Sequence, residues 1–130
     1  MKTHDIQALI AQLPLLALNN NPSQTEIETS FINLGLFDSG CVSLGKFSGE
    51  TPWELHPDGD EFLFILDGQL IVTLLDTDDS QEIIVNQGNS CIIPRNIWHR
   101  NRADSPVTLL AVTASQHGGV SFADDPRLKD

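Results

Sequence analysis

At 130 residues, 40% of them apolar, the chain is long enough to bury one core and hardly long enough for two domains. Its 18 Asp and Glu residues outnumber its 7 Lys and Arg residues, which gives a net charge of −11 at pH 7. That sign repels phosphate backbones and anionic lipid headgroups, and no apolar run approaches the roughly 18 residues that span a bilayer, so neither nucleic acid nor a membrane is an expected partner.

The N-terminal segment, residues 1–22, predicts a short helix followed by a linker. Thr3 can cap the helix, and Pro14 should end or kink it. The apolar residues that share one face of this helix are Ile6, Leu9, Ile10 and Leu13. Residues 19–23 have the composition of a linker. Asp5 stands where an export signal carries basic residues, and no small-residue cleavage site follows, so we expect the segment to belong to the mature protein.

From residue 31 onward, strand signals replace the helical period. Turn residues separate short apolar runs, and Asp67-Gly68 is a strong hairpin signal. The expected strands are 31–37, 41–47, 53–56, 61–66, 69–76, 82–86, 89–93, 97–102 and 107–115, with a turn at 104–106 between the last two. This near-regular spacing predicts an all-β sandwich or barrel over residues 23–115 and a loosely held polar tail over residues 116–130.

Four residues of these strands have side chains that bind metals: Glu54, His56, Glu61 and His99. Glu54 and His56 are two apart and therefore point to one face of a strand, and Glu61 opens the next strand. A closed or sandwiched sheet can bring His99 alongside them. Imidazole nitrogens and carboxylate oxygens that converge in this way suit a divalent metal. Spacing alone leaves a second interpretation open, in which these are ordinary solvated or satisfied strand residues of a very acidic chain.

Two motifs around these positions resemble those of the cupin family. The first comprises Gly49, Glu54, His56, Glu61 and Gly68, and the second comprises Gly88, Pro94, Arg95, Asn96 and His99. The resemblance covers roughly residues 31–115. It implies a double-stranded β-helix, the jelly-roll or cupin barrel, with a metal in its lumen.

Position by position, the resemblance implies that His56, Glu61 and His99 are metal ligands. Glu54 replaces the first histidine of the family motif, which leaves the identity of the divalent metal open among Fe, Mn, Ni and Zn. Asn96 stands where a glycine is usual and Ala103 where an asparagine is usual. Asn tolerates the left-handed backbone of a turn glycine, so the change at residue 96 is mild.

Alternation along the strands predicts which side chains enter the lumen. If Glu54 and His56 face inward, then Leu63, Ile65, His99 and Asn101 do so as well. The residues expected on the outer face include Phe62, Phe64, Leu66, Trp98, Arg100 and Arg102. The three apolar residues of that face, on the strand 61–66, need a cover, either the N-terminal helix or a second subunit, and we expect a homodimer. The only two cysteines, Cys41 and Cys91, lie in apolar runs, which indicates free thiols and a cytoplasmic protein.

Three functions are compatible with these features. The first is a metal-dependent enzyme of oxygenase or isomerase type, acting on a small and partly apolar organic substrate. The sequence offers no obvious general base, which favours redox chemistry at the metal over proton shuttling, and it identifies no catalytic residue. The second is a module that binds a small molecule without reacting with it, and the third is a structural protein whose metal only staples the barrel. An open pocket beside the metal would favour the first two.

Overall fold

Most of the protein is β-strand, and its two short helices lie in the N-terminal region, before residue 32. The computed structural model describes residues 1–76, 79–114, 121–123 and 126. In chain order the elements are α1 (Ile6–Ile10), β1 (Leu16–Ala17), a 3₁₀ turn (Leu18–Asn20), α2 (Gln24–Ser30), β2 (Ile32–Phe37), β3 (Gly40–Glu50), β4 (Trp53–Leu55), β5 (Glu61–Asp67), β6 (Gln69–Asp76), β7 (Asp79–Asn86), β8 (Ser90–Ile93), β9 (Trp98–Thr113) and β10 (Ser121–Ala123). This is the all-β architecture that the sequence predicts.

The long strand β9 joins the two halves of the barrel. Its first half pairs with β4 and β6, and its second half lies between β3 and β5, antiparallel to each of them. β6 pairs antiparallel with β7, and β5 pairs antiparallel with β8. Because one strand takes part in both halves, residues near its start lie close to β4 while residues near its end lie close to β5.

The predicted turn at 104–106 is wrong, because β9 runs through this stretch without reversing. Three residues of β9 stand opposite the single residue Ser48, since Phe47 pairs with Val107 and Gly49 pairs with Ala103. The turn-forming residues therefore produce a bulge in a continuous strand.

The N-terminal region differs from its prediction in three respects. α1 ends at Ile10, so Leu13, which is predicted to share its apolar face, lies beyond the helix. Asp5 rather than Thr3 caps α1, since its side chain accepts a hydrogen bond from Ala8 N. The stretch expected to be a linker runs directly into α2, which the prediction misses. Ser23 and Glu26 form a capping box at the start of α2, in which each side chain bonds the backbone N–H of the other residue.

The inside and outside of the barrel follow the predicted alternation. Leu63 and Ile65 are buried, whereas Phe62 and Phe64 on the same strand are half-buried. The buried core cluster comprises Leu16, Phe47, Leu63, Ile65, Leu70, Val72, Val85, Ile93, Ala103, Val107 and Leu109. α1 has no fully buried residue.

Residue 115, the last residue of the predicted barrel, lies outside the described residues. Most of the predicted tail does so as well. Within the tail, Ser121–Ala123 forms β10, which pairs antiparallel with β4. No helix in the described part of the chain is both long enough and apolar enough to cross a membrane.

Candidate metal centre

The backbone brings the four predicted site residues to one end of the lumen. Glu54 on β4 is the direct cross-strand partner of His99 on β9. His56 follows β4 immediately, and Glu61 is the first residue of β5. Asn96 holds the loop between His56 and Glu61 in place, because its backbone N–H donates a hydrogen bond to the carbonyl of His56 at 2.9 Å. Asn96 has a φ of 61°, the left-handed conformation that the sequence predicts it to tolerate.

The same connection is held at a second point. Asp60 Oδ1 accepts a hydrogen bond from the backbone N–H of Arg95 at 3.0 Å, and the Arg95 guanidinium lies 3.4 Å from the same oxygen. These bonds lower the pKa of the Asp60 carboxyl, the backbone bond most of all. The segment between β8 and β9 thus fixes the loop that carries His56 to Glu61.

The side chains of the site converge on a small volume. Glu54 Oε2 lies 3.7 Å from His56 Nε2 and 3.6 Å from His99 Nε2. Glu61 Oε2 lies 3.4 Å from His56 Nε2. The two imidazole rings are stacked, with centroids 5.3 Å apart. Each imidazole therefore turns its Nε2 atom towards a carboxylate: His56 towards Glu54 and Glu61, and His99 towards Glu54.

The orientation of His99 is set by the backbone. Its Nδ1 lies 3.1 Å from the carbonyl oxygen of Ile97, which accepts a hydrogen bond from Nδ1–H. The lone pair of the neutral ring is then on Nε2, the nitrogen that faces Glu54. The Nε2 atoms of His56 and His99 are both buried and have no hydrogen-bond partner within the described residues. Such orphaned nitrogens are the donor atoms that a metal ion would satisfy.

Burial and close contacts shift the pKa values of three of these groups. Burial by itself raises the pKa of the Glu54 carboxyl, but the contacts with His56 and His99 outweigh it and hold the pKa below its usual range. Burial raises the pKa of Glu61, and the negative charge of Glu54 raises it further. Burial opposes protonation of His99, but the Glu54 and Ile97 contacts prevail and its pKa is raised. The carboxylates thus favour a positive charge at this end of the lumen.

Three of the predicted residues form a tight group. One ligand atom each from Glu54, His56 and His99 lies within 4.8 Å of the other two. Glu61 adjoins this group through His56. A cluster of two imidazoles and one carboxylate is a possible site for a divalent metal ion.

A cavity of about 510 Å³ opens beside this group. Glu54 and Glu61 of the candidate metal centre line it, and so do Asn101 and Thr51. α2 and the residue after it contribute Ile27 and Phe31. Strand alternation predicts the inward direction of Asn101, but the lining from α2 is missed because the helix itself is missed.

A model of the cupin domain matches residues 44–113, more than half of the chain. The chain belongs to the cupin domain family. Over 112 residues this cupin is 30% identical to an uncharacterised protein, YdbB, of Bacillus subtilis (strain 168), and the match covers 86% of this chain and 94% of that protein. The resemblance that the two sequence motifs indicate is therefore confirmed.

Solved structures share the fold of this cupin. The protein NMB1881 from Neisseria meningitidis superimposes with a TM-score of 0.68 at 18% identity, covering 88% of this chain and all of that one. An oxalate oxidase has a TM-score of 0.57 at 20% identity over 65% of this chain and 46% of that one. A hydroquinone 1,2-dioxygenase in complex with Cd²⁺ and 4-hydroxybenzonitrile has a TM-score of 0.56 at 21% identity over 66% of this chain and 64% of that one. These similarities confirm the predicted jelly-roll barrel.

Proposed function

We propose that this cupin binds one divalent metal ion through Glu54, His56, Glu61 and His99 and uses it to transform a small organic substrate. The observation that carries the proposal is the convergence of two buried Nε2 atoms on Glu54 Oε2, at 3.7 and 3.6 Å, with no hydrogen-bond partner for either nitrogen among the described residues. The donor set of two nitrogens and two carboxylate oxygens suits Fe, Mn, Ni or Zn. When bound, such a metal supplies a Lewis acid, and iron or manganese supplies a redox centre as well.

Each residue has a definite part in this proposal. The carbonyl of Ile97 holds the His99 ring so that Nε2 points at the site. Glu54 supplies negative charge to the metal, and its contacts with the two imidazoles lower the pKa of its carboxyl. Glu61 completes the set next to His56 and lines the cavity, where the substrate enters.

The cavity favours a function that involves a small molecule over a purely structural role. Its volume of about 510 Å³ lies within the range of ligand pockets, about 300 to 1,000 Å³. A metal that only stapled the barrel would need no such space beside it. Neighbours of the same fold include an oxalate oxidase and a dioxygenase that was crystallised with Cd²⁺, and this supports an oxidase- or oxygenase-like reaction. An isomerase reaction on the same site is the second form of the proposal.

The test is a search for turnover by the metal-loaded protein. Chelated protein is reloaded separately with Fe(II), Mn(II), Ni(II) or Zn(II) and incubated with a panel of small oxygenated organic compounds. Oxygen uptake and product NMR are then recorded beside the His99→Ala variant. We expect turnover with at least one metal and none in the variant. A loaded protein that binds members of the panel but transforms none would favour the binding module.

The remaining part of the proposal concerns the cellular compartment and the oligomeric state of the protein. We propose a cytoplasmic protein, because Cys41 and Cys91 are both free thiols that a reducing compartment preserves. We also propose a homodimer, because the outer face of β5 carries the half-buried Phe62 and Phe64.

A further inference from the structure

The wall of the lumen carries a buried acceptor that the described part of the chain does not satisfy. Asn101 is 8% exposed, and its Oδ1 is buried with no hydrogen-bond partner among the described residues. The backbone of the same residue is fully engaged with Thr51. Its N–H donates to Thr51 Oγ1 at 3.0 Å, and its carbonyl accepts from Thr51 N–H at 2.9 Å. The backbone is thus fixed while the side-chain oxygen still needs a donor.

Asn101 faces the same space as the metal centre. It lies two residues after His99 on β9, so the two side chains leave the strand on one face, roughly 7 Å apart at that rise. Asn101 and Glu54 both line the cavity. A molecule the size of one or two aromatic rings can therefore touch Asn101 at one end and reach the metal centre at the other.

The described residues that line the cavity offer no cationic side chain for an anion. None of the described residues that line it is Lys or Arg. The arginines of β9 contact acids on the other face, Arg100 with Glu50 at 3.4 Å and Arg102 with Asp104 at 3.0 Å. The two carboxylates of the metal centre balance the charge of a divalent ion. Away from the metal itself, a substrate carboxylate would therefore lose its hydration without gaining a counter-charge from the described lining residues.

Most of the lining is apolar. The residues that form it include Leu16, Phe31, Phe47, Leu63 and Leu109. Such a wall favours an apolar body, while a few placed polar groups set its orientation. Among those polar groups, Asn101 Oδ1 is a buried acceptor that lacks a donor within the described residues.

We infer that the lumen binds a neutral, mainly apolar molecule that carries a hydroxyl or N–H group, and that Asn101 Oδ1 accepts the hydrogen bond from this group. The inference rests on the proposed function, since the molecule so held is the substrate of the metal centre. Asn101 is then a residue that determines specificity and places the substrate.

The test uses three probes of one size that differ in a single group. The probes are 2-naphthol, which is neutral at pH 7 and can donate; 2-methoxynaphthalene, which cannot donate; and 2-naphthoate, which is an anion. Calorimetric titration measures the Kd of each for the protein as purified and again after treatment with EDTA. We expect 2-naphthol to bind roughly tenfold or more tightly than either of the others in both states. Equal or tighter binding of 2-naphthoate, or binding of no probe at all, would overturn the inference.

Two variants locate the acceptor. Asn101→Leu removes the oxygen while it keeps the number and branching of the side-chain heavy atoms. The variant should bind 2-naphthol no more tightly than 2-methoxynaphthalene. Ser43→Ala, which removes another polar group from the cavity lining, should leave the preference intact. A preference that survives in Asn101→Leu, or that disappears on chelation because the metal held the hydroxyl, would overturn the role of Asn101. The three-probe comparison on the wild type holds even if Asn101→Leu does not fold.

The metal content of the same samples separates this inference from the proposed function. A preference for 2-naphthol in protein that never takes up metal would contradict the metal-dependent function and support the ligand class. A full metal complement with 2-naphthoate as the tightest probe would overturn the ligand class and leave the metal function standing.

Discussion

At the scale of single residues, strand alternation and motif spacing predict the residues of the candidate metal centre. Glu54, His56, Glu61 and His99 follow from their positions in two motifs, and the structure brings all four to one end of the lumen. Asn101 is placed inside by the same alternation, but nothing in the sequence shows that its side-chain oxygen lacks a partner among the described residues. Satisfaction of a hydrogen bond depends on neighbours from distant strands, and a sequence pattern does not contain them.

Cys91 gives a prediction at this scale. It is the cross-strand partner of Leu63, and burial raises the pKa of its thiol, with the negative charge of Glu61 adding to the effect. A raised pKa leaves less thiolate at a given pH, so alkylation should be slower than that of a free cysteine. In chelated Cys41→Ser protein, the midpoint of the pH profile of iodoacetamide alkylation should lie at higher pH than that of free cysteine. Adding Glu61→Gln should move the profile towards lower pH.

The control for this prediction is Glu82→Gln, which removes an exposed carboxylate from β7. This variant should leave the alkylation profile unchanged. If Glu61→Gln and Glu82→Gln behave alike, Glu61 does not raise the pKa of Cys91.

At the scale of elements, the sequence predicts strands better than it predicts their ends and the short helices. β9 is divided in the prediction because Asp104, Ser105 and Pro106 are all turn formers. In the structure the same residues form a bulge opposite β3, and only the pairing of the neighbouring strand reveals this. α2 is missed because its seven residues carry one large apolar side chain, Ile27, and so show no helical period.

The capping box of α2 should contribute measurably to stability. Ser23 Oγ accepts from Glu26 N–H at 3.1 Å, and Ser23→Ala leaves that N–H without its partner. We expect the free energy of unfolding, measured in urea, to fall by about 1 kcal/mol. Ser23→Asp keeps an acceptor at the cap and should retain nearly all of the stability. Equal losses in the two variants would show that the cap does not stabilise α2.

At the scale of the whole molecule, the barrel and its family are predicted from the sequence because strand spacing and two motifs cover most of the chain. The oligomeric state stays a prediction, because the sequence and the fold of one chain do not show a second chain. The outer face of β5 and β8 includes Ile92, which is 65% exposed and stands opposite the half-buried Phe62. An apolar face of this kind favours association.

Light scattering on purified protein tests the expected homodimer. We expect the wild type to have the mass of two chains and Ile92→Glu to have the mass of one. Ile84→Glu makes the same change at a site on β7 that is 57% exposed, and it should remain dimeric. A wild type with the mass of one chain would contradict the dimer.

The measurement that tests the central claim most directly is elemental analysis of purified protein, with each metal counted per chain. The wild type and His4→Ala, which removes an exposed histidine near the N-terminus, should each hold close to one equivalent of Fe, Mn, Ni or Zn. His99→Ala should lose most of it, because His99 Nε2 is a buried donor of the site. A wild type that is free of metal and takes up none of these ions when they are added would contradict the metal centre. Equal metal in the wild type and His99→Ala would contradict it as well.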